Sequence, residues 1–197
     1  MARKGFYFDM TKCIGCRTCQ IACKDVNGLE VGTLFRHVAS YEVGTYPNAR
    51  MYHYASSCNH CENPACVEVC PVGAMYVDEE DGTIQHDDSV CIGCKTCVAA
   101  CPYTVPQFVE ELGIVQKCSL CKSLRDNGEE PACVSSCLTR ALEWGDIDEL
   151  RERHGEGAWL EPLASPEATG PSMVIGTSRF CALGGEGSLG NSPEEIA

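Results

Sequence analysis

The chain has 197 residues, with 28 acidic against 15 basic side chains and a formal charge of −13, a balance that argues against nucleic acid as a partner. Its hydrophobic share of 44% includes 17 cysteines; without them the apolar fraction falls to roughly 35%, which leaves little hydrocarbon for a core. No apolar run approaches the ~18 residues that cross a bilayer and the first residues carry no signal-peptide core, so no direct membrane span is expected and the chain's own address is the cytoplasm.

In chain order, the first expected element is a short strand over residues 5–8. It leads into CIGCRTCQIAC, with Cys13, Cys16, Cys19 and Cys23. The second group, CNHCENPACVEVC, holds Cys58, Cys61, Cys66 and Cys70. Residues 74–86 place an Asp81-Gly82 turn between two β-prone runs and predict a hairpin. The third group, CIGCKTCVAAC, with Cys91, Cys94, Cys97 and Cys101, nearly repeats the first. The fourth has Cys118, Cys121, Cys133 and Cys137 and ends like the second in Pro-Ala-Cys-Val plus a closing cysteine. A strand over 141–144 is placed to pair with 5–8, and a short helix is expected to carry each third and fourth cysteine. Residues 146–154 read as a helix, with Asp146 and Glu149 in a capping-box relation and Gly155 as the stop. From 161 to 197, Gly, Pro and Ser make up 15 of 37 residues, a composition that suits an extended arm or a disordered tail, and an arm lying on a partner subunit is expected rather than a domain.

The first and third groups have the spacing CxxCxxCxxxC, which wraps three thiolates around one 4Fe-4S cube and sends the fourth elsewhere. Zinc is the competing reading, and the fourth group alone would suit it. Zinc sites join two separated CxxC pairs, however, whereas here three cysteines fall within seven residues twice over. With cysteine at all sixteen positions, four complete 4Fe-4S clusters are expected. They would act as inorganic cores, and the metal-free chain is expected to be largely unfolded. Neither an open iron site nor a Gly-rich nucleotide fingerprint is visible, so no catalytic residue and no cofactor beyond the clusters is expected. The chain reads as a non-catalytic carrier of electrons.

The repetition points to an internal duplication. Pro71 and Pro102 follow the second and third groups, as proline follows the last cysteine of a two-cluster ferredoxin run, while Lys24 and Leu138 follow the first and fourth. The expected fold class is therefore α+β, two nested bacterial-ferredoxin-like modules: an inner one over 58–101, an outer one over 1–57 with 102–145, then a helix and extended C-terminal arm over 146–197. Between Cys58 and Cys101 lie Glu62, Glu68, Asp78, Glu79, Glu80, Asp81, Asp87 and Asp88 against Lys95 alone. The outer groups carry Lys12, Arg17, Lys24, Lys117, Lys122, Arg125 and Arg140, so higher reduction potentials are expected in the outer module. His60 is expected to support a site rather than ligate iron, Trp144 and Trp159 to pack, and Cys181 to be a free thiol.

The stretches FYFDMTKCIGCRTCQIACKD, SCNHCENPACVEVCPVGAM, VCIGCKTCVAACPY and ALEWGDIDELRERHG resemble the iron-sulfur electron-transfer subunits of the dimethyl sulfoxide reductase family of molybdopterin oxidoreductases. The resemblance implies a doubled ferredoxin whose four 4Fe-4S clusters stand between a large molybdopterin catalytic subunit and, often, a quinol-oxidising membrane anchor. It implies nested ligand sets, one of Cys13, Cys16, Cys19 and Cys137 and a next of Cys118, Cys121, Cys133 and Cys23. The third is then Cys91, Cys94, Cys97 and Cys70, and the last Cys58, Cys61, Cys66 and Cys101, with the first nearest the catalytic subunit and the last nearest the donor. It also allows co-export with the catalytic subunit to the extracytoplasmic face of the membrane. A free-standing polyferredoxin shuttling between redox enzymes is the alternative.

Overall fold

The computed structural model describes residues 2–160, 163–177 and 188–189. Among the described residues there are six short α-helices: α1 (Thr18–Asn27), α2 (Ala65–Glu68), α3 (Thr96–Ala100), α4 (Lys122–Asp126), α5 (Ala132–Ser135) and α6 (Ile147–His154). The third cysteine of each group, Cys19, Cys66, Cys97 or Cys133, lies in a helix as expected. Of the fourth cysteines, Cys23 lies inside α1 and Cys101 caps α3, while Cys70 and Cys137 fall just past α2 and α5. No helix among the described residues is long and apolar enough to cross a membrane.

Strand β1 (Lys4–Asp9) is the centre of a three-stranded sheet. The run Phe6-Tyr7-Phe8 alternates faces, as successive strand residues must. Phe6 and Phe8 enter the largest core with Val38, Tyr54, Leu120 and Leu142, and Tyr7 packs under α6 with Ile147, Leu150 and Val174. Both faces are covered, so the middle of β1, Phe6-Tyr7-Phe8, is apolar or aromatic throughout. Helix α6 starts on the Asp146 carboxylate, which accepts the Asp148 and Glu149 backbone N–H groups at 3.0 and 3.4 Å, and stops at Gly155.

Two further strands complete this sheet. Of these, β8 (Leu142–Asp146) pairs antiparallel with β1, Phe6 opposite Trp144, as the sequence predicts. On the other side β9 (Met173–Gly176) pairs parallel, Phe6 opposite Met173. The extended-arm reading of 146–197 therefore fails over 173–176, where the chain is a buried strand. Gly, Pro and Ser dominate the composition of that region, and the three apolar residues Met173, Val174 and Ile175 are too short a run to stand out from it.

The expected hairpin over 74–86 is present as β4 (Met75–Val77) and β5 (Ile84–His86). Its turn is closed by the Gly82 N–H on the Asp78 carbonyl at 2.9 Å. Two hairpins were not expected. One is β2 (His37–Val43) with β3 (Arg50–Ser56), to which β10 (Ser188–Leu189) adds an edge. The other is β6 (Gln107–Val109) with β7 (Ile114–Gln116), whose Phe108 and Val115 pack on Met75 and Cys97. This second hairpin, placed by the sequence reading in the outer segment 102–145, thus sits on the inner core.

Candidate metal centres

The CIGC loops take a shape that only glycine permits at their third residue. Gly15 and Gly93 have φ of +68° and +66°, and a Cβ would lie 2.5 Å from the His53 ring at Gly15 and 2.2 Å from the Gly113 carbonyl oxygen at Gly93. Arg17 and Lys95, one residue past the second cysteine, are also left-handed. The loop curls around its own thiols and then enters α1 or α3.

The thiols gather by tertiary contact rather than by group. Burial pushes Cys13 up, and the neighbouring Cys137 and Cys16 add to it. Cys19, pushed to about 11 chiefly by burial, also feels Cys133, Cys13 and Cys137. Cys23 is raised by burial and then by Cys118, Cys133 and Cys121. In the inner region Cys66 is pushed to about 11 by burial, with Cys101 and Cys61 close by, and Cys97 is raised by burial and by Cys70, Cys94 and Cys91. The second and third gatherings touch: Cys58, pushed up to about 12 by burial, also feels Cys118. The resemblance placed the Cys91 set next after that of Cys118 and the Cys58 set last; in the structure Cys58 shares a buried cluster with Cys23 and Cys118, and Cys97 one with Cys66, Cys70 and Cys91.

Two of these gatherings each line a cavity. Cys58, Cys61, Cys66 and Cys101 line one with Pro64, Ile84, Val105 and Lys117. Cys70, Cys91, Cys94 and Cys97 line the other with Met75, Ile92 and Val115. Among the described residues no three His, Cys, Asp or Glu side chains form a group that would hold a single metal ion. Backbone and hydroxyl donors point at the sulfurs: Met75 N–H at Cys70 (3.5 Å), Leu120 N–H at Cys118 (3.4 Å), Ala141 N–H at Cys137 (3.2 Å), and the Thr18 and Thr96 hydroxyls at Cys16 and Cys94 (3.4 and 3.3 Å). Four soft donors around apolar space, with N–H groups aimed at the sulfurs, fit an iron-sulfur cube.

Three buried polar residues stand between the gatherings. Arg36 is 1% exposed. Burial opposes its charge, and the thiols of Cys133, Cys19, Cys118 and Cys23 outweigh that and raise its proton affinity. Lys117 donates to the Ile84 carbonyl and, at 2.9 Å, to the Cys118 carbonyl, and its charge pulls Cys58 and Cys66 down. His60 accepts the Ile84 N–H on Nδ1 at 3.0 Å, and its Nε2 lies 4.0 Å from the Cys118 sulfur. Because Nδ1 is an acceptor, the ring proton sits on Nε2, toward that sulfur. Burial holds His60 well below its usual range and therefore neutral. The expected supporting role of His60 agrees with this placement.

The sequence reading overlooked Arg36, which lies outside every cysteine group and has no local signal. The charge contrast it drew is also altered. Lys122 and Arg125, counted as outer cations, are paired with Asp78 at 3.0 Å and Asp81 at 2.5 Å in the inner hairpin loop, so these four charges cancel locally. Lys117 faces the inner thiols. Trp144 packs on the largest core, and Trp159 Nε1 donates to the Ala164 carbonyl at 2.8 Å. Cys181 lies outside the described residues.

Two family models match the chain, each described as a 4Fe-4S dicluster domain, over residues 49–147 and 12–74. The chain is 40% identical to the B subunit of the anaerobic dimethyl sulfoxide reductase of Haemophilus influenzae, over 100% of both sequences. It is 44% identical to the corresponding subunit of Escherichia coli over 87% of each. It is 42% identical to the thiosulfate reductase electron transfer subunit of Salmonella typhi, over 72% of this chain and 74% of that one.

Proposed function

We propose, since the chain belongs to the family of iron-sulfur B subunits of anaerobic dimethyl sulfoxide reductases, that it is a non-catalytic subunit relaying single electrons to a molybdopterin catalytic subunit. Four 4Fe-4S clusters would supply reversible one-electron chemistry when bound. The ligand sets would be Cys13, Cys16, Cys19 and Cys137; Cys23, Cys118, Cys121 and Cys133; Cys58, Cys61, Cys66 and Cys101; and Cys70, Cys91, Cys94 and Cys97.

The observation that carries this reading is the exchange of fourth thiols between distant segments. Cys137 stands by Cys13 and Cys19, Cys23 by Cys118, Cys101 by Cys66 and Cys70 by Cys97. Neighbouring sets share a wall of buried side chains, which keeps water out and the sets close. The residues around them do three jobs. Left-handed loop residues aim the thiols, backbone N–H groups bond the sulfurs, and Arg36 and Lys117 offset the thiolate charge. Most of the thiols are raised by burial, so loading iron releases protons and tightens as pH rises.

A donor of electrons, either a quinol-linked membrane anchor or a soluble carrier, would dock near the Cys70, Cys91, Cys94 and Cys97 end, and the catalytic subunit near Cys13, Cys16 and Cys19. Affinity purification of the tagged full-length chain from its own cells tests this. The expected product is a brown complex holding a large molybdenum-containing subunit, with about sixteen iron and sixteen sulfide per chain. A cluster-loaded monomer with no large partner would instead support a free-standing polyferredoxin, and a colourless, zinc-containing protein would end the iron reading.

A further inference from the structure

Among the described residues Arg36 is the largest side chain to be almost wholly buried, and it forms no carboxylate ion pair there. Nη1 donates to the Ala55 carbonyl and Nη2 to the Ser57 hydroxyl, both at 2.9 Å. The guanidinium lies 4.7 Å from the centre of the Phe6 ring. Among the described residues its buried Nε has no hydrogen-bond partner. Neutral oxygens and an aromatic face do not compensate a full charge held out of water, and an isolated buried cation is strongly disfavoured. The sulfurs of Cys133, Cys19, Cys118 and Cys23 favour its charge, and they carry the compensating negative charge once they ligate iron as thiolates.

We propose that Arg36 is a positioning residue for electron transfer: its fixed charge stands by both outer clusters at once and raises their reduction potentials above the values they would have without it. A reduced cluster carries one more negative charge than an oxidised one, so a cation beside it, screened from water, favours the reduced form. The same guanidinium faces one sulfur of the first set and three of the second. It therefore steadies the extra electron on either side of the outer gap. Strand β2 begins one residue later, and its ladder with β3 fixes the height of Arg36, since the residue binds the carbonyl of Ala55 in that partner strand.

This inference rests on the four-cluster reading, and iron and sulfide content separates the two. A purified wild-type complex without about sixteen iron fails the reading itself. In a complex with full iron, the outer clusters of Arg36→Gln and Arg36→Lys are titrated by electron paramagnetic resonance. At a fixed poise, Arg36→Gln is expected to lower the ratio of reduced to oxidised outer cluster about tenfold, which is about 59 mV for one electron. Arg36→Lys is expected to recover part of that, with the inner pair unmoved in both. Unchanged outer midpoints in an iron-replete Arg36→Gln complex overturn the proposal, as does an equal fall in all four clusters.

Should Arg36→Gln fail to load iron, pulsed resonance on wild-type complex labelled with nitrogen-15 arginine decides. Coupling of a guanidinium nitrogen to a reduced outer cluster, lost in Arg36→Lys, supports the proposal. Absence of that coupling, or its persistence in Arg36→Lys, overturns it.

Discussion

The outer and inner regions hold the same number of cysteines in related patterns, yet they are built on different supports. Six of the eight outer thiols are buried, against Cys58 and Cys97 alone in the inner region. The outer thiols rest on a hydrocarbon core that includes Phe6, Phe8, Val38, Tyr54, Leu120 and Ile175. The inner cluster is smaller, with Met75, Cys97 and Val115 buried at its centre. At ~1.5–3 kcal/mol per large buried apolar side chain, the first draws more of its stability from hydrocarbon than the second does. The difference also sets the electrostatics. The outer sulfurs share a buried guanidinium, whereas the exposed Cys94 is held below the usual thiol range by the Thr96 hydroxyl and N–H.

Iron removal should break this comparison open, and it carries the largest expected effect. With a chelator under reducing conditions, the amides of β4 to β7 are expected to exchange with solvent without protection. Those of β1 and β8 should keep part of theirs. Equal loss of protection in both regions, read by hydrogen exchange, would show that the hydrocarbon core does not distinguish them.

Cys137→Ser sharpens the boundary between sets. It is expected to alter the resonance of the cluster held by Cys13, Cys16 and Cys19 and to leave the other three unchanged. A change in the signal of the set that includes Cys118 would instead assign Cys137 to its own sequence group.

The tie between the regions is the third point to probe. Arg125 and Asp81 form a largely buried pair joining α4 to the inner hairpin, and Asp81→Asn is expected to cost about 3 kcal/mol in the assembled protein. Burial works to raise the Asp81 carboxyl, but the Thr83 hydroxyl and N–H and the Arg125 guanidinium outweigh it and hold it below its usual value. The pair's contribution is therefore complete above the unfolded value of about 3.9 and is lost as pH falls through the lower folded one. The thermal midpoints of wild type and Asp81→Asn should converge over that acid range, and a constant gap would remove Asp81 from the account.

The smallest expected effect lies entirely on the outer side. Asp146→Ala removes the cap of α6 and should lower stability by about 1 kcal/mol, with no change in any cluster signal. A shifted outer midpoint in that variant would mean that α6 influences the sites beyond simple support.

Much of the site was legible because it is local. Three thiols within seven residues, a glycine where the loop needs φ near +68°, and a helix starting before the third cysteine are all written in neighbouring residues. The β4 to β5 hairpin and the pairing of β1 with β8 were equally readable, from an Asp-Gly turn and from apolar runs flanking the outer groups. The hairpin of β2 and β3 was passed over because its tyrosines sit among polar residues and only tertiary contact shows that Tyr52 and Tyr54 face inward. Strand β9 was hidden by the composition around it.

The donors, their spacing and the family of the chain thus follow from the order of amino acids alone, because iron-sulfur ligation is specified by residue type and short-range separation. Folding settled what depends on distance through space. It put the Cys58 gathering beside Cys118, cancelled Lys122 and Arg125 against two aspartates, and buried Arg36 among sulfurs from two cysteine groups. Charges act over ångströms rather than over residue numbers, so their effect on the sites follows from packing that no local pattern records.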